Sequence, residues 1–168
     1  MNNSQLINQD SGDFEYYTPI EIVDAAREVM GSITLDPFSS RQANEEIKAE
    51  IYFTIEDSGL SQVWGGNIWM NHPFSRNMNK LCIEMLLDEY INGLVNQACC
   101  ITFAATSEKW FQPLLDFPQC YLSPRTNYYL PDGTLKRGVT KGSVITYLGD
   151  NVDKFIAVFD GKFGKVKI

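Results

Sequence analysis

The segment Ala98-Cys99-Cys100-Ile101-Thr102-Phe103-Ala104 constrains the fold more than any other stretch of the chain. It is apolar almost throughout, without alternation, and too short for an ordinary helix, so it reads as a strand covered on both faces. Such strands belong to sheets sandwiched between helices, which points to an α/β architecture. The preceding text agrees. Thr18-Pro19 opens a helix over residues 20 to 31, with Thr18 expected at the N-cap, Pro19 at the first helical position, Glu21 at the third and Gly31 at the close. Residues 32 to 35 then read as a short strand ending at Asp36-Pro37, and 42 to 50 as a helix. Residues 51 to 54 and 67 to 70 read as strands, and 76 to 92 as a long amphipathic helix stopped by Gly93. Beyond the 98 to 104 strand, residues 107 to 115 suggest a short helix; 119 to 122, 126 to 130, 143 to 148 and 155 to 159 suggest strands. Alternating strand and helix followed by strand-rich text predicts a sheet flanked by helices, with antiparallel strands in the C-terminal half.

A chain of 168 residues with 44% hydrophobic content buries one full-sized core, so a single domain is expected from residue 13 onward, after a flexible start over residues 1 to 12. No apolar run approaches the ~18 to 20 residues that cross a bilayer. Met1-Asn2-Asn3-Ser4-Gln5 is not a signal peptide, and a soluble cytoplasmic protein is expected. Cys82, Cys99, Cys100 and Cys120 lack Cys-x-x-Cys spacing and are joined by a single histidine, which makes no plausible zinc site and suggests reduced core residues. A net charge of −7 argues against a polyanionic partner until its distribution is considered. Residues 1 to 60 hold 12 acids and 3 bases, whereas residues 121 to 168 hold 4 acids and 8 bases. Lys136, Arg137 and Lys141 fall in a glycine-punctuated segment, either a loop that follows a phosphate backbone or a solvated hairpin.

Open α/β sheets bind ligands beyond the carboxyl ends of their strands. Three segments fall there: Asp36-Pro37-Phe38-Ser39-Ser40, Glu56-Asp57 and Asn71-His72-Pro73-Phe74. In the last, Asn supplies a carbonyl acceptor, Pro fixes the backbone, and Phe offers a flat face for a planar ring. That set suits a planar amine such as the exocyclic NH2 of a nucleobase held in a pocket. Taken alone, the tetrapeptide also fits a plain strand-to-helix turn with Asn71 as cap.

Asn71-His72-Pro73-Phe74 resembles the Asn-Pro-Pro-Tyr/Phe motif of amino-methyltransferases, and its neighbours resemble the phage-type DNA N6-adenine methyltransferases. The matching words are Tyr16-Tyr17-Thr18-Pro19, Leu35-Asp36-Pro37-Phe38-Ser39-Ser40, the stretch from Glu56 to Trp64 and that from Trp69 to Ser75. A weaker echo follows in Ala105-Thr106-Ser107-Glu108-Lys109-Trp110-Phe111. The resemblance implies a compact Rossmann-like methyltransferase sheet, S-adenosyl-L-methionine as methyl donor, and adenine N6 of DNA as acceptor. It implies that Asn71 Oδ1 and the His72 backbone carbonyl accept the amine hydrogens, shifting the nitrogen toward sp3 and aiming its lone pair at the methyl, while Pro73 shapes the loop and Phe74 stacks on the flipped base. It further implies a cofactor pocket at Asp36-Pro37-Phe38-Ser39, with Asp36 attracting the sulfonium or amino end, and adds Tyr17, Thr18 and Pro19. Asp57 reads either as a contact to cofactor ribose or adenine or as part of an Asp-Ser-Gly turn. Two departures stand out. His72 replaces a proline, and its imidazole, with an ordinary pKa near ~6.5, offers a general base beside the backbone role. Ser39 and Ser40 replace glycines of the cofactor loop.

DNA contacts are expected from Ser75 and Arg76 at the start of the long helix, where free N–H groups can hold a phosphate, and from Lys80, Arg125, Lys136, Arg137 and Lys141. Lys80 also reads as plain surface charge, and Arg125 as a salt-bridge partner. Trp69 reads as core, and Trp64 as a pocket wall or a loop anchor. A chain without room for a large recognition domain predicts a short or loose target sequence. The same motif also serves cytosine N4 or a protein glutamine amide, and a degenerate member would bind DNA or a host protein without turnover. Affinity for S-adenosylmethionine separates that last reading from the enzymes.

Overall fold

The computed structural model describes residues 16 to 168, so the expected flexible segment over residues 1 to 12 lies outside the described residues. In chain order the elements are α1 (Ile20–Met30), β1 (Leu35–Asp36), α2 (Arg41–Ile47), β2 (Ile51–Tyr52), β3 (Gly66–Met70), α3 (Arg76–Ile91), β4 (Val95–Phe103), β5 (Gln119–Leu122), β6 (Ser143–Leu148), α4 (Val152–Phe159) and β7 (Gly164–Lys167). Short 3-10 turns occupy Gly59–Ser61 and Gln112–Asp116. All seven strands join one sheet in the order β2-β1-β3-β4-β6-β5-β7. β2, β1, β3 and β4 run parallel. β6 is antiparallel to both β4 and β5, and β7 is antiparallel to β5. The fold is therefore the expected Rossmann-like mixed sheet, parallel in its first half and antiparallel beyond.

The pleat sorts the core into two layers. Trp69, Cys99, Ile101, Cys120, Ile145 and Tyr147 face α1 and α4, whereas Ile68, Met70, Ala98, Cys100, Val144 and Leu148 pack with Cys82, Ile83 and Leu86 of α3. Residues 98 to 101 are fully buried, which is why β4 carries so few polar residues. All four cysteines are buried with free thiols.

Several elements differ from the sequence expectation. Residues 155 to 159 form the end of helix α4 rather than a strand. Phe155, Val158 and Phe159 are buried at helical spacing, and Phe155 stacks on Tyr147 with centroids 5.2 Å apart. Among the described residues, 126 to 130 join no ladder, and Tyr129 bridges singly to Tyr17 and Leu135. Of residues 107 to 115, only the 3-10 turn Gln112–Asp116 is helical, because Pro113 has no N–H to continue an α-helix. The expected 42 to 50 helix stops at Ile47, where Lys48 turns left-handed (φ 53°) and the Asn44 side chain bonds both the N–H and the C=O of Ala49. β1 begins later than expected, at Leu35.

Candidate active site

The carboxyl ends of β1 and β3 open onto a cavity of about 1000 Å³. One end is lined by Asp36, Phe38, Ser39, Thr54, Gly59 and Leu60, the other by Asn71 to Phe74 with Phe103 and Tyr128. Two of the three expected segments thus share one crevice. The third reaches it through Ser58 and Gly59 rather than through Glu56 or Asp57.

The side-chain amide of Asn71 is oriented from behind. Its Nδ2 donates to the backbone carbonyl of Tyr16 at 2.7 Å and to Thr18 Oγ1 at 3.1 Å, which uses both amide hydrogens. Among the described residues no hydrogen bond reaches Oδ1. Thr18 is therefore not the cap of α1. Pro19 holds that position without a side-chain bond, and the helix opens with Ile22 N–H on the Pro19 carbonyl. Asn71 does not cap α3 either; Ser75 does, accepting from the Met78 N–H at 3.3 Å.

His72 is buried, and its Nε2 lies 2.7 Å from Asn79 Oδ1, a bond in which the ring N–H donates. Nδ1 is buried and has no hydrogen-bond partner among the described residues. Burial lowers the imidazole pKa to about 4, against a smaller upward pull from Asn79. The ring is neutral at pH 7 and a weak base, which favours the backbone role over general-base chemistry. Phe74 is boxed by rings: His72 edge-on at 5.6 Å, Phe103 tilted at 4.8 Å and Tyr128 edge-on at 5.9 Å. The Tyr128 hydroxyl in turn bonds Ser143 Oγ at 2.7 Å. Neither Phe103 nor Tyr128 was singled out from sequence, because an aromatic residue within a strand-like run is ordinarily core. Pro73 is exposed on the cavity wall.

At the other end Asp36 is buried, with Oδ1 accepting the Phe38 N–H at 3.2 Å. Burial pushes its pKa up to about 7, offset in part by the Phe38 amide and the Ser39 hydroxyl. Pro37 is buried beneath the loop, and Phe38 stands edge-on to Trp64 at 5.6 Å. The Trp64 indole N–H bonds the Gly59 carbonyl at 2.8 Å. Trp64 thus anchors the loop from behind, while Trp69, read as core, lines the cavity as well as being buried. The serines at glycine positions have their own work. Ser39 N–H bonds the Phe53 carbonyl at 2.8 Å. Ser40, extended at φ −138°, caps α2 through the Ala43 N–H and also meets the Tyr17 hydroxyl at 3.0 Å, so its backbone needs no glycine. Asp57 is exposed and turned away from the cavity; its Oδ2 accepts from Thr54 N at 2.8 Å and Thr54 Oγ1 at 2.9 Å. That is turn geometry, and it holds the carboxyl below its usual range.

Of the expected cations, Lys136 lines the cavity and Lys141 sits 5.5 Å over the Phe103 ring. Arg76, Arg125 and Arg137 are exposed. Lys80 pairs with Glu84 on the outer face of α3 at 3.8 Å, the plain surface arrangement. The 128 to 136 segment closes on itself through Lys136 N–H on the Tyr128 carbonyl, and the Gln42 amide donates to the carbonyl of Pro131, both residues of that second bond lining the cavity.

A family model described as DNA N-6-adenine-methyltransferase (Dam) matches residues 4–120. The chain belongs to that family. The matched span contains Tyr17, Asp36, Asn71 to Phe74 and Phe103, the residues that line both ends of the cavity, and stops before the basic loop. Membership supports methyl transfer to adenine N6 of DNA as the activity. No curated protein matches the chain. Among the described residues no helix is long and apolar enough to cross a membrane.

Proposed function

We propose that the chain transfers a methyl group from S-adenosyl-L-methionine to N6 of an adenine swung out of DNA into the cavity beside Phe74. One observation carries this reading: the Asn71 amide is held by Tyr16 and Thr18 so that its oxygen is left as an acceptor on the cavity wall. An amide free to rotate would present N–H groups as readily as oxygen. Here Oδ1 accepts one amine hydrogen and the His72 backbone carbonyl the other, drawing the nitrogen lone pair out of conjugation. Phe74, Phe103 and Tyr128 form the aromatic wall against which the base stacks. No residue is required to act as a strong base.

The cofactor end fits a cationic amino-acid nucleoside. Asp36 is a buried carboxyl with no ion-pair partner among the described residues, and Phe38 and Leu60 offer apolar walls to a flat ring. S-Adenosylmethionine supplies an electrophilic methyl on a positively charged sulfur. Asp36 holds the cationic portion, Ser39 and Thr18 also line the cavity, and the Trp64 to Gly59 bond keeps the Phe38 wall in place. Lys136 lines the cavity and Lys141 lies over Phe103, and with the exposed Arg137 next in sequence to Lys136 they neutralise flanking phosphates. Residues 16 to 168 make up one catalytic sheet, with this loop as the recognition surface.

The test is methyl transfer from labelled S-adenosylmethionine to unmodified DNA, read by nucleoside mass spectrometry beside Asn71→Ala. N6-methyladenine that vanishes in the variant is the expected result. N4-methylcytosine would replace the acceptor, and absent cofactor binding would leave only a degenerate DNA binder.

A further inference from the structure

Among the described residues the His72 side chain makes one polar bond, from Nε2 to Asn79 Oδ1 at 2.7 Å. Asn79 stands in the first turns of α3, half-buried, and does not line the cavity. The loop from Asn71 to the Ser75 cap contains a single proline, Pro73, so one φ angle is set covalently and that of His72 is not. Yet the His72 ring is buried, gripped at Nε2 by the helix and packed edge-on against Phe74 at 5.6 Å. A ring clamped in this way limits rotation of the peptide that carries it. The carbonyl on that peptide is one of the two acceptors for the amine.

We propose that Asn79 is a positioning residue for methyl transfer: by holding the His72 ring it holds the His72 carbonyl toward the reacting amine, a side-chain hydrogen bond serving where a second proline ring would act covalently. This rests on the reading that the His72 carbonyl grips the amine. Removing the Asn79 acceptor deprives Nε2–H of its partner in a buried site, where Nδ1 already has none among the described residues. The ring then turns to seek water in the adjoining cavity, and the carbonyl loses its aim. Misalignment of a reacting group lowers turnover more than binding.

The experiment is steady-state kinetics on the parent and four variants of the full chain, with melting temperatures measured in parallel. Asn79→Ala lowers kcat by about tenfold, the scale of one lost hydrogen bond, with KM for DNA and for S-adenosylmethionine within about twofold of the parent. Asn79→Asp keeps an acceptor for Nε2–H and recovers most of kcat. In a His72→Pro background the ring is gone, so adding Asn79→Ala changes kcat by less than about twofold. Equal losses in the two backgrounds, or an unchanged kcat in Asn79→Ala, overturn the proposal. Should His72→Pro fail to fold, the Asp-against-Ala comparison decides: equal loss in both refutes the positioning role. Asn71→Ala is run alongside. If it is inactive while Asn79→Ala equals the parent, only the role of Asn79 falls; if Asn71→Ala is active, the amine grip itself falls.

Discussion

Gly59→Ala tests how the cofactor end is built. A Cβ at Gly59 would lie 2.1 Å from the Pro37 carbonyl oxygen and 3.2 Å from Phe38 Cε1, where ordinary contact begins at 3.4 Å, so the two chains must part by more than about 1 Å. The Gly59 backbone is not left-handed, so the whole effect is steric. Neither side yields cheaply. Gly59 is held by the buried Trp64 indole at 2.8 Å, and the facing loop is held by β1 and by the Ser39 bond to Phe53 at 2.8 Å. Overpacking of this kind costs about 1 to 3 kcal/mol. In a chain of this length each kcal/mol moves Tm by roughly 2 to 4 °C, so a cost near 2 kcal/mol lowers Tm by roughly 4 to 8 °C. Pro37 lies between Asp36 and Phe38, so its displacement also weakens S-adenosylmethionine, by about tenfold in Kd if ~1.4 kcal/mol of the strain is felt there. Thermal melts followed by circular dichroism and titration calorimetry read both effects. Gly142→Ala, which meets open space without a positive φ, is the control and should melt like the parent. A Gly59→Ala variant that melts within about 1 °C of the parent and binds the cofactor equally well would refute the packing argument.

Asn71→Ala should reduce kcat by more than about a hundredfold while leaving the S-adenosylmethionine Kd within a few-fold, because in the proposed mechanism Asn71 Oδ1 is an acceptor for the reacting amine; comparable turnover in single-turnover assays would sink that role. Asp36 titrates at about 7 in the folded chain against an ordinary 3.8, so between those values the folded state retains a proton that the unfolded state has released. Its contribution to stability therefore falls as pH rises from about 4 to about 7, and Asp36→Asn should flatten that portion of the cofactor-free pH–stability curve. Cofactor affinity should climb toward pH 7 in the parent and not in Asp36→Asn; superimposable curves would count against the pairing. Neutralising Lys136, Arg137 and Lys141 together should weaken duplex binding and reduce the slope of log K against log salt by roughly 1 per residue, and an unchanged slope would remove the loop from the DNA path.

The local signals in this chain were strong wherever a short stretch of residues decides its own structure. The apolar 98 to 104 run, the Gly93 stop of α3 and the strand ends at Asp36 and Met70 all follow from periodicity, backbone sterics and turn chemistry, and all are in the structure. Asp36 and Asn71 to Phe74, at the carboxyl ends of adjacent parallel strands, open onto one crevice as expected, whereas Glu56-Asp57 beyond β2 does not. Short apolar runs were less legible. Phe155-Ile156-Ala157-Val158-Phe159 suits a strand or a helix by composition, and packing of Phe155 against Tyr147 decided for the helix.

By itself, then, the sequence determined the sheet class, the carboxyl-end crevice and the residue types that line it. Only the tertiary structure decided which way those residues act. Thr18 looked like a helix cap, but the hydroxyl turns to an amide 53 positions away. His72 looked titratable, but burial beside Asn79 keeps it neutral. Asp57 read equally as a ligand and as part of a turn, and Thr54 takes its carboxylate into the turn. The physical reason is common to all three. A hydrogen bond's partner and a side chain's hydration depend on what the folded chain brings within about 3 Å, and separation along the sequence carries little of that information.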